Sequence, residues 1–442
     1  MKNICIYTAI IFLSLSSFMS CDKKKEESVK SNAPSHELKI ETKIIQGFKA
    51  PNTPAKYNKV GYNRYYFDDN SGKERPILII FSGYVAGTGW FDKMARYLVK
   101  KKNLEVWTIM RRHFFFEKRE ELKADIEKFI NAKDQATRNR LLIKINRSKN
   151  YASGSADPIG EWGYDVYLED IKRVVQVAKK YSKNIFLGGW SDGVEYAMAY
   201  AHFKSKKFGF GYKDLKGLVF FDENPEWGWV QKKQKYLKNI IKISKNLMAK
   251  KDTYFYMNYY PSLATHELAL ALAHKYPNKK SPLAKAFRLP ENLREKGITN
   301  RVLIGWLYEN TIAGFSRKQR GGFAYLIRSG EINLPNYFSD STNNKDKQHD
   351  SKHNDPALKK SRKEKGLYTW KTHKKTKEVT NLNYLIQASV APGYLWELFY
   401  PRKVILDYWL IAECDFKCPE FSLYHTKKNK LPIYYILTGT NN

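Results

Sequence analysis

Cysteine is scarce in this sequence, with four in 442 residues. Cys5 and Cys21 lie at the extreme N-terminus, so only Cys414 and Cys418 belong to the body of the chain. Within CDFKC these two can be bonded to one another outside the cytoplasm, or reduced and packed. His425 would add a third ligand, but a fourth at the usual spacing is missing, which argues against zinc; no metal and no other cofactor is expected. Acidic residues are also in deficit, 44 Asp and Glu against 78 Lys and Arg, for a net charge of +34. Such an excess ordinarily points to nucleic acid. Here the lysines are spread over nearly every segment together with abundant Asn, Ile and Tyr, and there is no helix-turn-helix, zinc-finger or RNP signature. Nucleic acid is therefore not an expected partner, and an anionic membrane surface suits the charge better.

The N-terminal apolar run is short. It extends from Ile4 to Phe18 behind Lys2, too little to span a bilayer comfortably, and it reads as an export signal. The Cys21 that follows Phe18-Met19-Ser20 resembles the lipidation site of a bacterial lipoprotein signal, which would make residues 1–21 the signal and Cys21 the acylated, palmitate-type N-terminus of the mature protein. An ordinary secretory signal without lipid is the alternative. Residues 22–35, DKKKEESVKSNAPS, lack apolar periodicity and suit a solvated tether. A lipid-anchored membrane protein of the bacterial cell envelope is the expectation.

What the chain does contain is 43% hydrophobic and 15% aromatic residues, enough for one large core or two medium ones. HELKIETKIIQGFKAP and KYNKVGYNRYYFDD carry β-branched and aromatic runs with turn residues between them, the pattern of an antiparallel pair at a sheet edge. PILIIFSG, residues 76–83, is a continuous apolar run ending in Gly, as in a strand buried on both faces of a mostly parallel sheet. WFDKMARYLVKK has helical spacing and LEVWTIMRR, residues 104–112, reads as a second buried strand. Residues 114–150 are charged and helical in pattern. VYLEDIKRVVQVAKKY is an amphipathic helix with Val166, Ile171, Val174, Val175 and Val177 on its apolar face. A third buried strand, KNIFLGGW, ends at Gly189, VEYAMAYAHF continues as helix, and LKGLVFFD, residues 215–222, is a fourth strand.

Ser191 thus falls on a strand-to-helix turn, inside Gly189-Trp190-Ser191-Asp192-Gly193. The pentapeptide alone is a weak signal. Its context is what a nucleophile elbow requires, a serine in strained backbone with Gly189 and Gly193 where side chains would crowd the turn. Together with FSGYVAGTGWFDKMARYL, EVWTIMRR, GYKDLKGLVFFD and FYPRKVILDYW, this makes the chain resemble the α/β-hydrolase fold over about half its length, from roughly residue 40 to 223 and again near the C-terminus. The resemblance implies an α/β fold with a mostly parallel sheet flanked by helices. It makes Ser191 the nucleophile of acyl transfer on a small ester-type substrate and the amide of Asp192 one half of the oxyanion hole. The other half falls to the amide of Tyr84, in a loop where Ser82-Gly83 replaces the family's usual His-Gly and where Gly87 and Gly89 allow close backbone approach.

The remaining triad members are harder to place. The implied order puts an acid after a later strand and a histidine after the last one. Residues 36–223 read as the core, 224–430 as a large helical cap with a polar, mobile loop at 339–366, and 431–442 as a late core strand, LPIYYILTG, after which the sequence ends. Seven histidines follow Ser191, namely His202, His266, His274, His349, His353, His373 and His425, and none is expected at the end of a buried strand. Asp222, closing the fourth strand, is the candidate acid. The expectation is a serine hydrolase of esterase or lipase type, incomplete at its C-terminus relative to the family, whose missing histidine would leave only a residual rate. The alternative is a non-catalytic envelope lipoprotein that binds a ligand or partner through the hydrolase-like pocket or the basic insertion.

Overall fold

Unbroken apolar strands need cover on both faces, and the sheet supplies it at its centre. The computed structural model describes residues 37–68, 74–153, 157–202, 204–205, 209–221, 234–255, 262–287, 289, 297–308, 331–332, 370–371, 382–390, 393–413 and 431–436. Seven strands form the main sheet: β1 (Leu38–Gln46), β2 (Lys59–Phe67), β3 (Ile77–Phe81), β4 (Glu105–Met110), β5 (Ile185–Trp190), β6 (Gly217–Phe221) and β7 (Ile433–Ile436). Their spatial order is β1-β2-β4-β3-β5-β6-β7. The β1–β2 and β2–β4 pairings are antiparallel and every other pairing is parallel. All residues of β3, β4 and β6 are buried, whereas β1, at the edge, has only half-buried and exposed positions.

Helix α1 (Asp92–Lys102) covers one face of this sheet. Its Ala95 and Val99, with Phe91 just before it, pack on Leu78, Ile80, Val106, Val219 and Phe221. Helices α2 (Arg119–Asn131) and α3 (Gln135–Ile145) form the charged excursion expected after β4. Helix α4 (Tyr164–Ala178) departs from simple amphipathicity: Glu169, Asp170 and Lys172 are buried beside Val166, Ile171, Val174 and Val175, and Val177 is only half-buried. The reason is that α4 has neighbours on several sides, touching β2, α5 (Asp192–His202) and, further along the chain, α10. Its buried charges are paired, Lys172 with Asp214 and Asp170 with the Nε of Arg112 at 2.7 Å.

Among the described residues the remaining α-helices are α6 (Gln234–Ala249), α7 (Leu263–Lys275), α8 (Asn300–Tyr308), α9 (Leu382–Ala388) and α10 (Arg402–Glu413). Helices α6 and α10 pack together through Ile241, Met248, Leu406, Trp409 and Leu410. The chain divides into two compact units, and residues 390–442 belong with the sheet although they fall largely within the stretch read as an insertion. Most of α7 together with α8 and α9 belongs to the other unit, residues 265–389, where Ser281 N–H donates to Ile298 O at 2.7 Å and Asn300 N–H to Lys279 O at 3.0 Å. The polar loop at 339–366 lies outside the described residues, as do Cys21, Cys414, Cys418 and His425.

Candidate functional site

β5 gives way to α5 through a single residue, and that residue is Ser191. Its φ is +53°, a left-handed conformation that costs a side-chain-bearing residue roughly 1–2 kcal/mol and persists only where the surroundings enforce it. The enforcement is steric. A Cβ on Gly189 would lie 2.0 Å from Gly193 O, and one on Gly193 would lie 2.1 Å from Phe81 O. The turn is therefore folded against the end of β3, and Val194 N–H donates to Ser191 O at 2.8 Å to start the helix. The hydroxyl of Ser191 stands just before the N-terminus of an eleven-residue helix, where the unpaired amides and macrodipole favour negative charge.

The loop after β3 faces this turn. A Cβ on Gly83 would come within 2.8 Å of Ser191 Cβ, so Gly83 lies directly beside the serine. Three of the loop's carbonyls are bound from beneath by the fully buried Arg111: its guanidinium donates to Gly83 O at 2.8 Å, Ala86 O at 3.0 Å and Ser82 O at 3.4 Å. A second hold comes from residues 394–397. Gly87 N–H donates to Leu395 O at 2.8 Å, Gly89 N–H to Tyr394 O at 3.1 Å and Glu397 N–H to Val85 O at 2.9 Å, an antiparallel bridge centred on Ala86 and Trp396. Gly87 is required there, because a Cβ would sit 1.9 Å from Tyr394 O.

The same segment closes a buried polar network. The Glu397 carboxylate pairs with Arg111 and accepts from His113 Nε2 at 2.7 Å, while His113 Nδ1 lies 2.5 Å from Tyr167 Oη. The hydroxyl of Tyr400 donates to the Asp192 carboxylate and lies 3.1 Å from Tyr196 Oη, and its ring centroid is 4.5 Å from that of Tyr84. Burial alone would raise the Glu397 carboxyl, but the Arg111 charge and His113 hold it down at about 2. Burial raises Asp192 above its ordinary value, against the pull of the Tyr400 hydrogen bond and the Arg111 charge. His113 is lowered by burial, with Glu397 only partly offsetting the loss of solvent.

The expected residues fall into two groups. Ser191, Asp192, Gly189, Gly193 and Tyr84 are brought together by the β3 loop and the β5–α5 turn. Asp222 lies outside the described residues; the strand before it ends at Phe221, paired with Trp190. Among the described residues, no imidazole or carboxylate is hydrogen-bonded to the Ser191 hydroxyl. His202 Nδ1 lies 2.9 Å from the Met198 carbonyl in its own helix, and His266, lowered to about 4 by burial, sits against Phe287. Arg111, His113, Glu397 and Tyr400 carry no role in the sequence reading. The one signal for them is the Arg111-Arg112-His113 run closing a strand that is otherwise apolar enough to be fully buried.

No family model matches the sequence, and no curated protein matches it. Among solved structures, the chain is similar to a Sulfolobus solfataricus protein assigned as a lipase, at 15% identity and a TM-score of 0.36, covering 66% of this chain and 71% of that one. It is also similar to brefeldin A esterase, described as a bacterial homologue of human hormone-sensitive lipase (12% identity, TM-score 0.27, 48% of this chain and 47% of that one). A bacterial heroin esterase is similar at 11% identity and a TM-score of 0.24, over 48% of this chain and 50% of that one. The chain spans about half the length of these two esterases. The sheet itself, mostly parallel with an antiparallel edge and helices on its flanks, is α/β-hydrolase-like. Among the described residues, no helix is long and apolar enough to cross a membrane.

Proposed function

We propose that this protein is a serine acyl hydrolase whose nucleophile is Ser191 and whose substrates are small esters. The observation that carries the reading is the left-handed backbone of Ser191 on a strand-to-helix turn, clasped by glycines, with Gly83 pressed against it. In the proposed reaction Ser191 Oγ attacks the ester carbonyl carbon as its proton passes to a base. The amides of Asp192 and Tyr84 receive the developing oxyanion, the alcohol leaves with a proton, and water then cleaves the acyl–serine bond. Asp222 is proposed as the acid of the site.

A second reading, a non-catalytic binding protein built on the same frame, is favoured by one observation: no described imidazole or carboxylate is hydrogen-bonded to the Ser191 hydroxyl. Labelling with a fluorophosphonate separates the two. A hydrolase reacts rapidly, and Ser191→Ala abolishes the label, whereas a binding protein labels no faster than unactivated serine. In both readings Cys21 is proposed as a lipid anchor, since several acyl chains on one cysteine hold a protein where a single chain is marginal. Detergent-phase partitioning that survives Cys21→Ala would remove the anchor.

A further inference from the structure

We propose that Arg111, fixed by Glu397, is a positioning residue for the oxyanion side of the Ser191 site. The inference rests on the hydrolase reading and adds a residue to it. Arg111 is the C-terminal neighbour of β4, the next strand over from β3, and its side chain is fully buried with Glu397 almost equally so. The guanidinium is a planar fork with donors in fixed directions. Here the donors go to three carbonyls of a single loop, Ser82, Gly83 and Ala86, and to one carboxylate. A peptide bond is planar and trans, so its N–H points opposite to its C=O. Drawing the Gly83 carbonyl toward Arg111 therefore turns the Tyr84 N–H to the other side, and the Ser82 carbonyl sets the Gly83 N–H in the same way.

A Cβ on Gly83 would collide with Ser191, so the peptide Arg111 orients lies beside the nucleophile. Glu397 completes the device from far along the chain: its carboxylate holds the guanidinium, and its backbone N–H is bonded to Val85 O in the same loop. Both holds on the loop, the side chain against its carbonyls and the bridged segment beside it, thus involve one residue pair. A pre-set donor matters because it contributes only when its direction already matches the charge that develops in the transition state.

The test is fluorophosphonate inactivation of the full chain, read as a maximal rate and a half-saturating concentration per folded molecule. Arg111→Lys keeps a cation for Glu397, but a single ammonium cannot hold three carbonyls at fixed angles. The maximal rate should fall roughly 100- to 1,000-fold, the range for a lost oxyanion donor, with the half-saturating concentration unchanged. Should Arg111→Lys not fold, Arg111→Met combined with Glu397→Gln, which leaves no unpaired buried charge, must show the same split. A wild type that labels through Ser191 while the folded variants keep its maximal rate, or lose only half-saturation, overturns this inference and leaves the hydrolase reading standing. A wild type that does not label through Ser191 overturns both.

Discussion

The two sides of the Ser191 site are built in opposite ways. The turn is local: Gly189 and Gly193 lie two residues either side of the serine, and the close contacts that force its backbone to φ +53° come from them and from the end of one strand. The facing loop is assembled at a distance. Its carbonyls rest on Arg111 and its amides on residues 394–397, and Tyr400 spans to Asp192. The first arrangement resists change because backbone is pressed on backbone. The second depends on a buried charge balance. The lesson is that one side of this site fails by sterics and the other by electrostatics, and variants should separate the two failures.

The largest effect is expected on the local side. In Gly193→Ala the added methyl would meet Phe81 O at 2.1 Å and Phe81 C at 2.9 Å. Both are backbone atoms of a central strand, so relief means moving β3 away from α5. We expect a loss of at least about 4–5 kcal/mol, in the exceptional range for point mutants, or no folded protein. Soluble yield and urea denaturation report it. A Gly193→Ala variant with wild-type denaturation midpoint would show that the turn is not pressed on β3 and would dissolve the contrast.

Next comes the distal side. Glu397→Ala leaves Arg111 and His113 buried without their anion, and removing one partner of a buried pair costs about 3–5 kcal/mol. Glu397→Gln keeps the hydrogen-bonding shape and should lose distinctly less. The pH dependence identifies the cause. Because Glu397 is held at about 2 against an ordinary value of 4.5, its contribution is fully present above pH 4.5 and is lost as the pH falls toward 2. Equilibrium denaturation across that window should show acid destabilisation in the wild type that Glu397→Gln flattens. Parallel pH curves for the two proteins would mean that the pair is not charged as described.

The same division governs what the sequence could reveal. The apolar runs ILIIF, EVWTIM and GLVFF mark buried strands because every side chain meets a covered face. The pentapeptide around Ser191 is readable because sterics within five residues decide it. Arg111 and Glu397 are not readable in this way. An arginine at the end of a strand is ordinarily a solvated terminus, and nothing in residues 394–397 indicates that their carbonyls lie against Gly87 and Gly89. Only the chain's return to the sheet makes that contact, and that return lies inside a stretch whose helical pattern reads as an insertion. The buried charges of α4 escape the sequence for a related reason, since periodicity reports one covered face while α4 has neighbours on several sides.

The smallest effect is expected at Tyr400, where the two sides meet, since its hydroxyl reaches Asp192 on the turn and its ring packs on Tyr84 in the loop. Tyr400→Phe keeps the ring and removes the donor. Burial already raises Asp192 above its ordinary 3.8, and the Tyr400 hydrogen bond works against that rise. For a raised carboxyl, the stability it contributes is fully present below pH 3.8 and lost as the pH climbs through the folded value. Without the donor the folded value moves higher still, so the deficit of Tyr400→Phe must grow with pH. Losing a neutral hydrogen bond costs about 1 kcal/mol and losing one to a charged group about 1.5–3 kcal/mol, so the deficit should climb from the first figure toward the second as Asp192 ionises. Denaturation midpoints of the two proteins at pH 3.5 and pH 7 read the difference directly. A deficit that is equal at both, or larger in acid, would show that Asp192 does not draw on Tyr400 for its charge, and the turn and the loop would then be coupled by packing alone.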